Sequence, residues 1–553
     1  MTHPAGASAL IEALLQPQCY PHTVKRVERL ETHISWIFLT GPYAYKIKKP
    51  VKLGFLDFSS LEARRHYCEE ELRLNRRLAH DLYLDIVEIR GLPHAPRIAG
   101  HGPVLEYAVR MREFPQEALA NRLLARGELT PALVTGMASH IAAFHAQLPP
   151  ALPESRYGTP ESVLKNAEDN FEQISSLLES PEEQEALKVV REWTERELIL
   201  RDCELRERRS AGMVRECHGD LHLGNIVLLD GELVPFDCIE FNPDFRWNDV
   251  MSEIAFVMMD LLDRGAPRLA WLFLSSYLEA TGVYSGLSVL RFYLVYRAMV
   301  RAKVHLIRAQ QCAADTVEQR RLMAAYRSYV ELATQCAALG RPALVLMRGL
   351  SGSGKSTVAQ ELVQALGAVH VRSDVERKRL HGRKPMERTG SAIRSGLYGQ
   401  NSTEATYARL AEAARVVAQA GYTAIVDATF LQRSQRAQLR AVADALGVSV
   451  AVIDVQAPQA VLRERIARRA TENRDPSEAT LEVLEHQTAS AEPILLDEQL
   501  AVIRLNGHED LTASAIDNLV RRLLDISTPG RPATPSPCVD RPTPAATRSA
   551  LLC

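Results

Sequence analysis

Gly349-Leu350-Ser351-Gly352-Ser353-Gly354-Lys355-Ser356 matches the pattern G-x-x-x-x-G-K-[ST] at every fixed position. The residues before it, Ala343-Leu344-Val345-Leu346-Met347, read as a buried strand, and Thr357 to Leu366 have helical spacing. Strand, glycine loop and helix start together make a phosphate cradle. The glycines let successive N–H groups turn inward, and the helix N-terminus adds partial positive charge. Gly349, Gly352 and Gly354 shape the loop, Lys355 reaches the β- and γ-phosphates of a nucleotide, and the Ser356 hydroxyl, beside Thr357, holds Mg²⁺.

The surrounding sequence continues the pattern. Val369 to Asp374 reads as a short strand ending in an acid, as does Thr423 to Asp427. Helices are expected over 405–420, 434–446, 461–470 and 511–524, with strands over 448–455 and 501–505. Repeated strand–helix units imply a parallel sheet with helices on both faces. Residues 527–553, rich in Pro, Ser, Thr and Ala, read as a disordered tail.

At 553 residues the chain has room for two or more domains. It is 24% charged and 46% hydrophobic, ordinary for a globular protein, and its net charge of −2 gives no global pull towards nucleic acid or membrane. The nine cysteines are scattered without a C-x-x-C pair and no secretory signal opens the chain, so they read as reduced thiols of a cytoplasmic protein. No apolar run reaches the ~18–20 residues of a membrane span. Gly340-Arg341-Pro342 breaks the helical pattern ahead of the cradle. The expected organisation is therefore two domains, 1–336 and 340–526, followed by the tail.

In the first domain, residues 1 to about 30 look helical. Ile34–Leu39 and Tyr43–Lys48 flank a Gly41-Pro42 turn as a hairpin, residues 61–79 have helical spacing, and Leu82–Ile89 and Val104–Val109 read as strands. Helical patterns fill 117–210, broken at Pro149–Pro153, and 249–336. Between them lies His218-Gly219-Asp220-Leu221-His222-Leu223-Gly224-Asn225, running into a strand, an Asp230-Gly231 turn and a second strand that ends at Asp237.

The spacing H-G-D-x-H-x-x-N, with the further aspartate at 237, resembles the aminoglycoside phosphotransferase family and its small-molecule kinase relatives. The resemblance implies a protein-kinase-like α+β fold, a small β-rich lobe beside a larger helical one. It implies Asp220 as the base for an acceptor hydroxyl, Asn225 and Asp237 as Mg²⁺ ligands, His218 as a brace for the loop and His222 as a shaper of the site. Ala44-Tyr45-Lys46 resembles the strand whose lysine pairs the α- and β-phosphates; Lys46 is preferred, with Lys48 on the same face as the alternative. Its helix partner falls in Glu69-Glu70-Glu71, with Glu71 favoured, and the adenine-contacting hinge in Glu106–Met111. No G-x-G-x-x-G precedes Lys46; the Thr40-Gly41-Pro42 turn stands in its place.

Ser373-Asp374-x-x-Arg377 resembles small P-loop kinases: polynucleotide kinase, gluconate kinase, chloramphenicol phosphotransferase and zeta-toxin relatives. The resemblance implies Asp374 as base, Arg377 on acceptor or phosphate, and Asp427 on Mg²⁺ or the acceptor; helix N-caps are the plain alternative for both acids. Arg463, Arg465, Arg468 and Arg469 crowd one helix and Arg474 follows, similar to the lid of such kinases, with Arg469 and then Arg465 favoured. A solvated basic face would look the same, and no aromatic residues interleave for base stacking, which argues against nucleic acid. The whole layout looks like bacterial bifunctional aminoglycoside phosphotransferase/ATP-binding proteins. It implies two ATP- and Mg²⁺-dependent phosphotransferase sites acting on small-molecule hydroxyls. A regulatory ATP-binding half, a protein kinase and a nucleic-acid end kinase are the competing readings; acceptors and oligomeric state are not legible.

Overall fold

The computed structural model describes residues 5–53, 56–338, 340–387, 399–472, 476–509 and 511–527. They fall into two compact units, one formed by 5–163 with 206–257, the other by 164–205 with 258–527. No described helix is long and apolar enough to cross a membrane. The tail, apart from residue 527, lies outside the described residues, as does Arg474.

The first unit carries a six-stranded antiparallel sheet. Its order is Glu28–Glu31, Ser35–Leu39, Tyr43–Lys48, Val104–Arg112, Tyr83–Leu92 and Ala95–Ile98. The expected N-terminal helix stops early. It spans Ala5–Ala13, a 3-10 turn covers Pro17–Cys19, and Glu28–Glu31 is the sheet's edge strand. Proline lacks a donor and restricts the residue before it, so Pro17 blocks continuation of the helix. Leu10, Ile11 and Leu14 instead pack with Tyr20, Trp36 and Phe38 on the sheet.

The helix Leu61–Asn75 starts at Ser60, whose hydroxyl accepts from Ala63 N at 3.1 Å, and it carries Glu71 into the interior. The hairpin Ile226–Leu229 and Glu232–Pro235 follows the H-G-D loop. A correction concerns the adenine hinge. Residues 108–111, within the segment expected to hold it, are paired in the ladder on both sides, so their backbone groups are taken by neighbouring strands.

In the second unit five strands lie parallel. Their order is Ala368–Arg372, Thr423–Asp427, Ala343–Arg348, Ser449–Gln456 and Ala501–Asn506. Val345, Met347, Ile425 and Ile453 pack with Val358 and Leu362 of the helix Lys355–Leu366 and with Leu519 and Leu523 of the helix Ala513–Ser527. The first acid-ending strand is shorter than the sequence suggests. It ends at Arg372, and Ser373–Leu380 is helical, so Asp374 lies in a first turn and is not the N-cap. A further helix, Leu481–Ser490, has no counterpart in the sequence reading; Thr480 caps it by accepting from Val483 N at 3.4 Å. The helices Pro267–Thr281, Leu287–Gln311 and Val317–Ala337 belong to the same unit.

Candidate functional sites

The first site is built by the strand Tyr43–Lys48, the helix Leu61–Asn75 and the loop 218–237. Lys46 and Lys48 are two residues apart on one strand, so their side chains leave on the same face. Both reach Glu71: Lys46 Nζ is 2.7 Å from Oε1 and Lys48 Nζ is 2.7 Å from Oε2. Their second partners differ. Lys46 also donates to Asp237, whereas Lys48, fully buried, donates to Glu240. Lys46 therefore faces the candidate metal carboxylate, and Lys48 completes an interior ion cluster. Burial opposes the charge on Lys46, but Asp237 and Glu71 outweigh it and hold the ammonium well above its ordinary range. Against its own burial, the Glu71 carboxyl is drawn down to about 2 by Lys46 and Lys48, while burial raises Glu240.

Asp220 and Asn225 meet directly: Asn225 Nδ2 donates to Asp220 Oδ2 and to its carbonyl, both at 3.0 Å. His222 Nδ1 accepts from Gly224 N at 3.0 Å, which leaves Nε2 to carry the proton, 3.5 Å from Asp220 Oδ2. His218 Nε2 bonds the Phe236 carbonyl at 2.7 Å, tying the loop to the strand before Asp237. Asp237 itself has φ 65°, and its N–H donates to Tyr83 Oη at 3.1 Å. Aspartate tolerates this left-handed conformation better than most residues.

The sequence reading missed the anchor beneath this loop. Glu253 accepts from His218 N at 2.9 Å, from Gly219 N at 2.7 Å, and lies 3.3 Å from His145 Nε2. Gly219 has φ 92°, and a Cβ there would stand 2.8 Å from the Phe245 carbonyl. The clue was available: Glu253 is a lone acid in the apolar run Val250–Met259. Burial resists its ionisation, yet the His145 and His218 contacts bring the carboxyl down to about 2. His145, Cys217 and Glu253 have ligand atoms within 4.8 Å of one another, but both Glu253 oxygens already accept N–H groups, so the trio reads as a brace. The Thr40 and Gly41 N–H groups both donate to the Glu113 carboxylate, at 2.8 and 2.9 Å. That turn is committed to a carboxylate of its own chain.

The second site lies wholly within the second unit. Around the glycine loop, Gly349 has φ 144° and a Cβ there would stand 2.3 Å from the Val455 carbonyl, so only glycine fits. A cavity of about 1240 Å³ opens on the loop. Gly352, Gly354, Lys355, Ser356 and Thr357 line it together with Arg372, Asp374, Arg377, Asp427 and Arg469. Lys355 Nζ donates to the Leu350 carbonyl at 2.8 Å, and Arg377 Nη1 lies 3.5 Å from Asp374 Oδ1.

The two favoured lid arginines part company: Arg469 lines the cavity, whereas Arg465 donates to the carbonyls of Gly352 at 3.3 Å and Gly507 at 2.8 Å, bracing the loop from outside. Arg463 pairs with Glu485 on the surface. His370, absent from the sequence reading, lies 3.3 Å from Asp427 Oδ2. Burial opposes the charge on Asp427, but His370, Arg372 and Lys355 hold its carboxyl well below the usual carboxylate range. Both sites fit Mg²⁺ by donor chemistry: a carboxylate with an amide oxygen in the first and a carboxylate with a hydroxyl in the second are hard oxygen ligands.

Residues 57–292 match the family model described as phosphotransferase enzyme family, and residues 344–494 match one described as AAA domain. An uncharacterized protein of Mycobacterium tuberculosis (strain ATCC 25618 / H37Rv) and one of Mycobacterium bovis are each 28% identical over 457 residues, covering 82% of this chain and 88% of their own. Among solved structures, an amicoumacin kinase in complex with AMP-PNP, Ca²⁺ and Ami aligns over 60% of this chain and 94% of its own at 15% identity, TM-score 0.38. A sugar kinase from Janibacter sp. HTCC2649 aligns over 34% of this chain and 96% of its own at 22% identity, TM-score 0.26.

Proposed function

We propose that this kinase, with a phosphotransferase-family domain over 57–292 and an AAA domain over 344–494, works at two separate sites, each passing the ATP γ-phosphate to a hydroxyl of a small molecule. The observations that carry the reading are the pairing of Lys46 with Asp237 across separate elements and of Asn225 with Asp220 within the loop, beside an independently built cradle lined by Lys355, Asp374 and Asp427.

In the first site Asp220 receives the proton of the acceptor hydroxyl, oriented by His222 and Asn225. Lys46 holds the phosphates, and Asn225 and Asp237 would hold Mg²⁺, which would supply charge neutralisation for the transferring group. In the second, Lys355 and the loop N–H groups bind the phosphates, Ser356 and Asp427 would hold Mg²⁺, Asp374 is the base, and Arg377 and Arg469 meet the transferring phosphoryl. Catalysis in both is positioning and charge neutralisation.

The test is a metabolite-pool screen with γ-labelled ATP on the wild type, Asp220→Ala and Lys355→Ala. Each variant is expected to lose one set of labelled products and keep the other. Loss of every product in either single variant would mean that the sites are not separate.

A further inference from the structure

Among the described residues, the strand Ala368–Arg372 is an edge of the parallel sheet, paired with Thr423–Asp427. An edge strand presents backbone groups that need a cover. Here the cover is the helix Pro267–Thr281, which lies inside the residues that match the phosphotransferase family. Ser275 Oγ accepts from His370 N at 3.0 Å, with both residues buried. Four residues on, one helical turn away, Glu279 Oε1 lies 3.1 Å from Arg372 Nη1.

The contact continues past the helix end. The Glu279 carbonyl accepts from Arg379, and the Gly282 carbonyl accepts from Arg409 at 3.2 Å. Tyr284 Oη donates to the fully buried Glu376 at 3.0 Å, and Trp271 meets Tyr422 edge-on with centroids 5.8 Å apart. The strand and helix held in this way are the ones that bring Arg372, Asp374 and Arg377 to the cavity.

We propose that Glu279 is a positioning residue of the second site: its carboxylate fixes the Arg372 guanidinium at the cavity wall, where it meets the transferring phosphoryl group beside Asp374 and Arg377. The second site is then completed by a helix from the region that carries the first family match. Ordering an arginine side chain costs rotamer entropy, and the ion pair with Glu279 meets that cost before ATP arrives. A guanidinium carries its N–H donors in a fixed planar fork, so a bond to Glu279 sets the direction of the whole group. The proposal rests on the reading of the second site as a phosphotransferase.

The test uses the full chain carrying Asp220→Ala, which leaves the second site as the source of γ-labelled ATP turnover, with water as acceptor. Glu279→Ala is expected to lower kcat about tenfold, less than the ~10²-fold of a full ~1 Å misplacement, and Arg372→Ala by ~10²–10³, the usual effect of removing a donor aimed at developing charge, each with the KM for ATP within about twofold. The double variant is expected to fall no further than Arg372→Ala alone, since both changes remove one interaction. Parental kcat in Glu279→Ala, additive losses in the double variant, or a loss that tracks a lowered melting temperature and weakened binding of labelled ATP would each overturn it. Should Glu279→Ala not fold, Glu279→Gln keeps the shape without the charge; about threefold lower kcat is expected, and parental kcat overturns the proposal. If Lys355→Ala leaves turnover unchanged in the same background, the phosphotransferase reading of the second site falls instead.

Discussion

Lys46 and Lys48 show how two identical residues on one strand face divide into different tasks. Both are held by Glu71, yet Lys46 also meets the carboxylate of Asp237, and Lys48 also meets Glu240 in the interior. Lys46→Ala is expected to lower first-site turnover by ~10²–10³, the usual effect of removing a donor aimed at developing charge, with little change in melting temperature. Lys48→Ala is expected to destabilise the fold by ~3–5 kcal/mol, because it leaves the buried Glu240 without the cation that pairs it. Turnover assays paired with urea denaturation separate the two; equal effects of both changes on stability would refute the division. A similar split separates Arg469, on the cavity, from Arg465, on the backbone of the phosphate loop.

Among elements, the helix Val250–Asp263 does for the first candidate site what the helix Pro267–Thr281 does for the second: each bonds to a segment that lines it. Glu253 joins the first of these helices to the H-G-D loop, and its carboxyl falls from an ordinary 4.5 to about 2 on folding. A depressed acid contributes stability above its unfolded value, and that contribution is lost as pH falls through the folded one. At about 1.4 kcal/mol per pH unit the drop is worth roughly 3 kcal/mol. The wild type is therefore expected to be more stable than Glu253→Gln at pH 7, with the gap narrowing between pH 4.5 and about 2. Urea denaturation of both proteins across that range checks it; a gap independent of pH would show that Glu253 is not a buried carboxylate in the folded chain.

At the scale of the whole molecule, the helices 258–338 and the parallel sheet form one compact unit with 164–205. A fragment covering 340–527 would expose the strand Ala368–Arg372 and lose Ser275, Glu279 and Tyr284. That fragment is expected to self-associate and to bind ATP more weakly than the full chain, as size-exclusion chromatography and titration with labelled nucleotide can check; a monomer with full affinity would show the cover to be dispensable.

The sequence alone determined both family resemblances, the parallel sheet, the first hairpin of the antiparallel one, and the roles expected of Asp220, Asn225, Asp237, Lys355, Asp374 and Asp427. Each lies in a short motif or at the end of a strand, where covalent spacing and backbone preference place it before any packing is known. Tertiary structure decided which lysine faces Asp237, that Glu253 anchors the loop, that His370 touches Asp427, and that Glu279 reaches Arg372. Those partners lie far from one another along the chain or hide in apolar runs. Their meeting depends on how helices and sheets bury one another's surfaces, and no local pattern of residues records that.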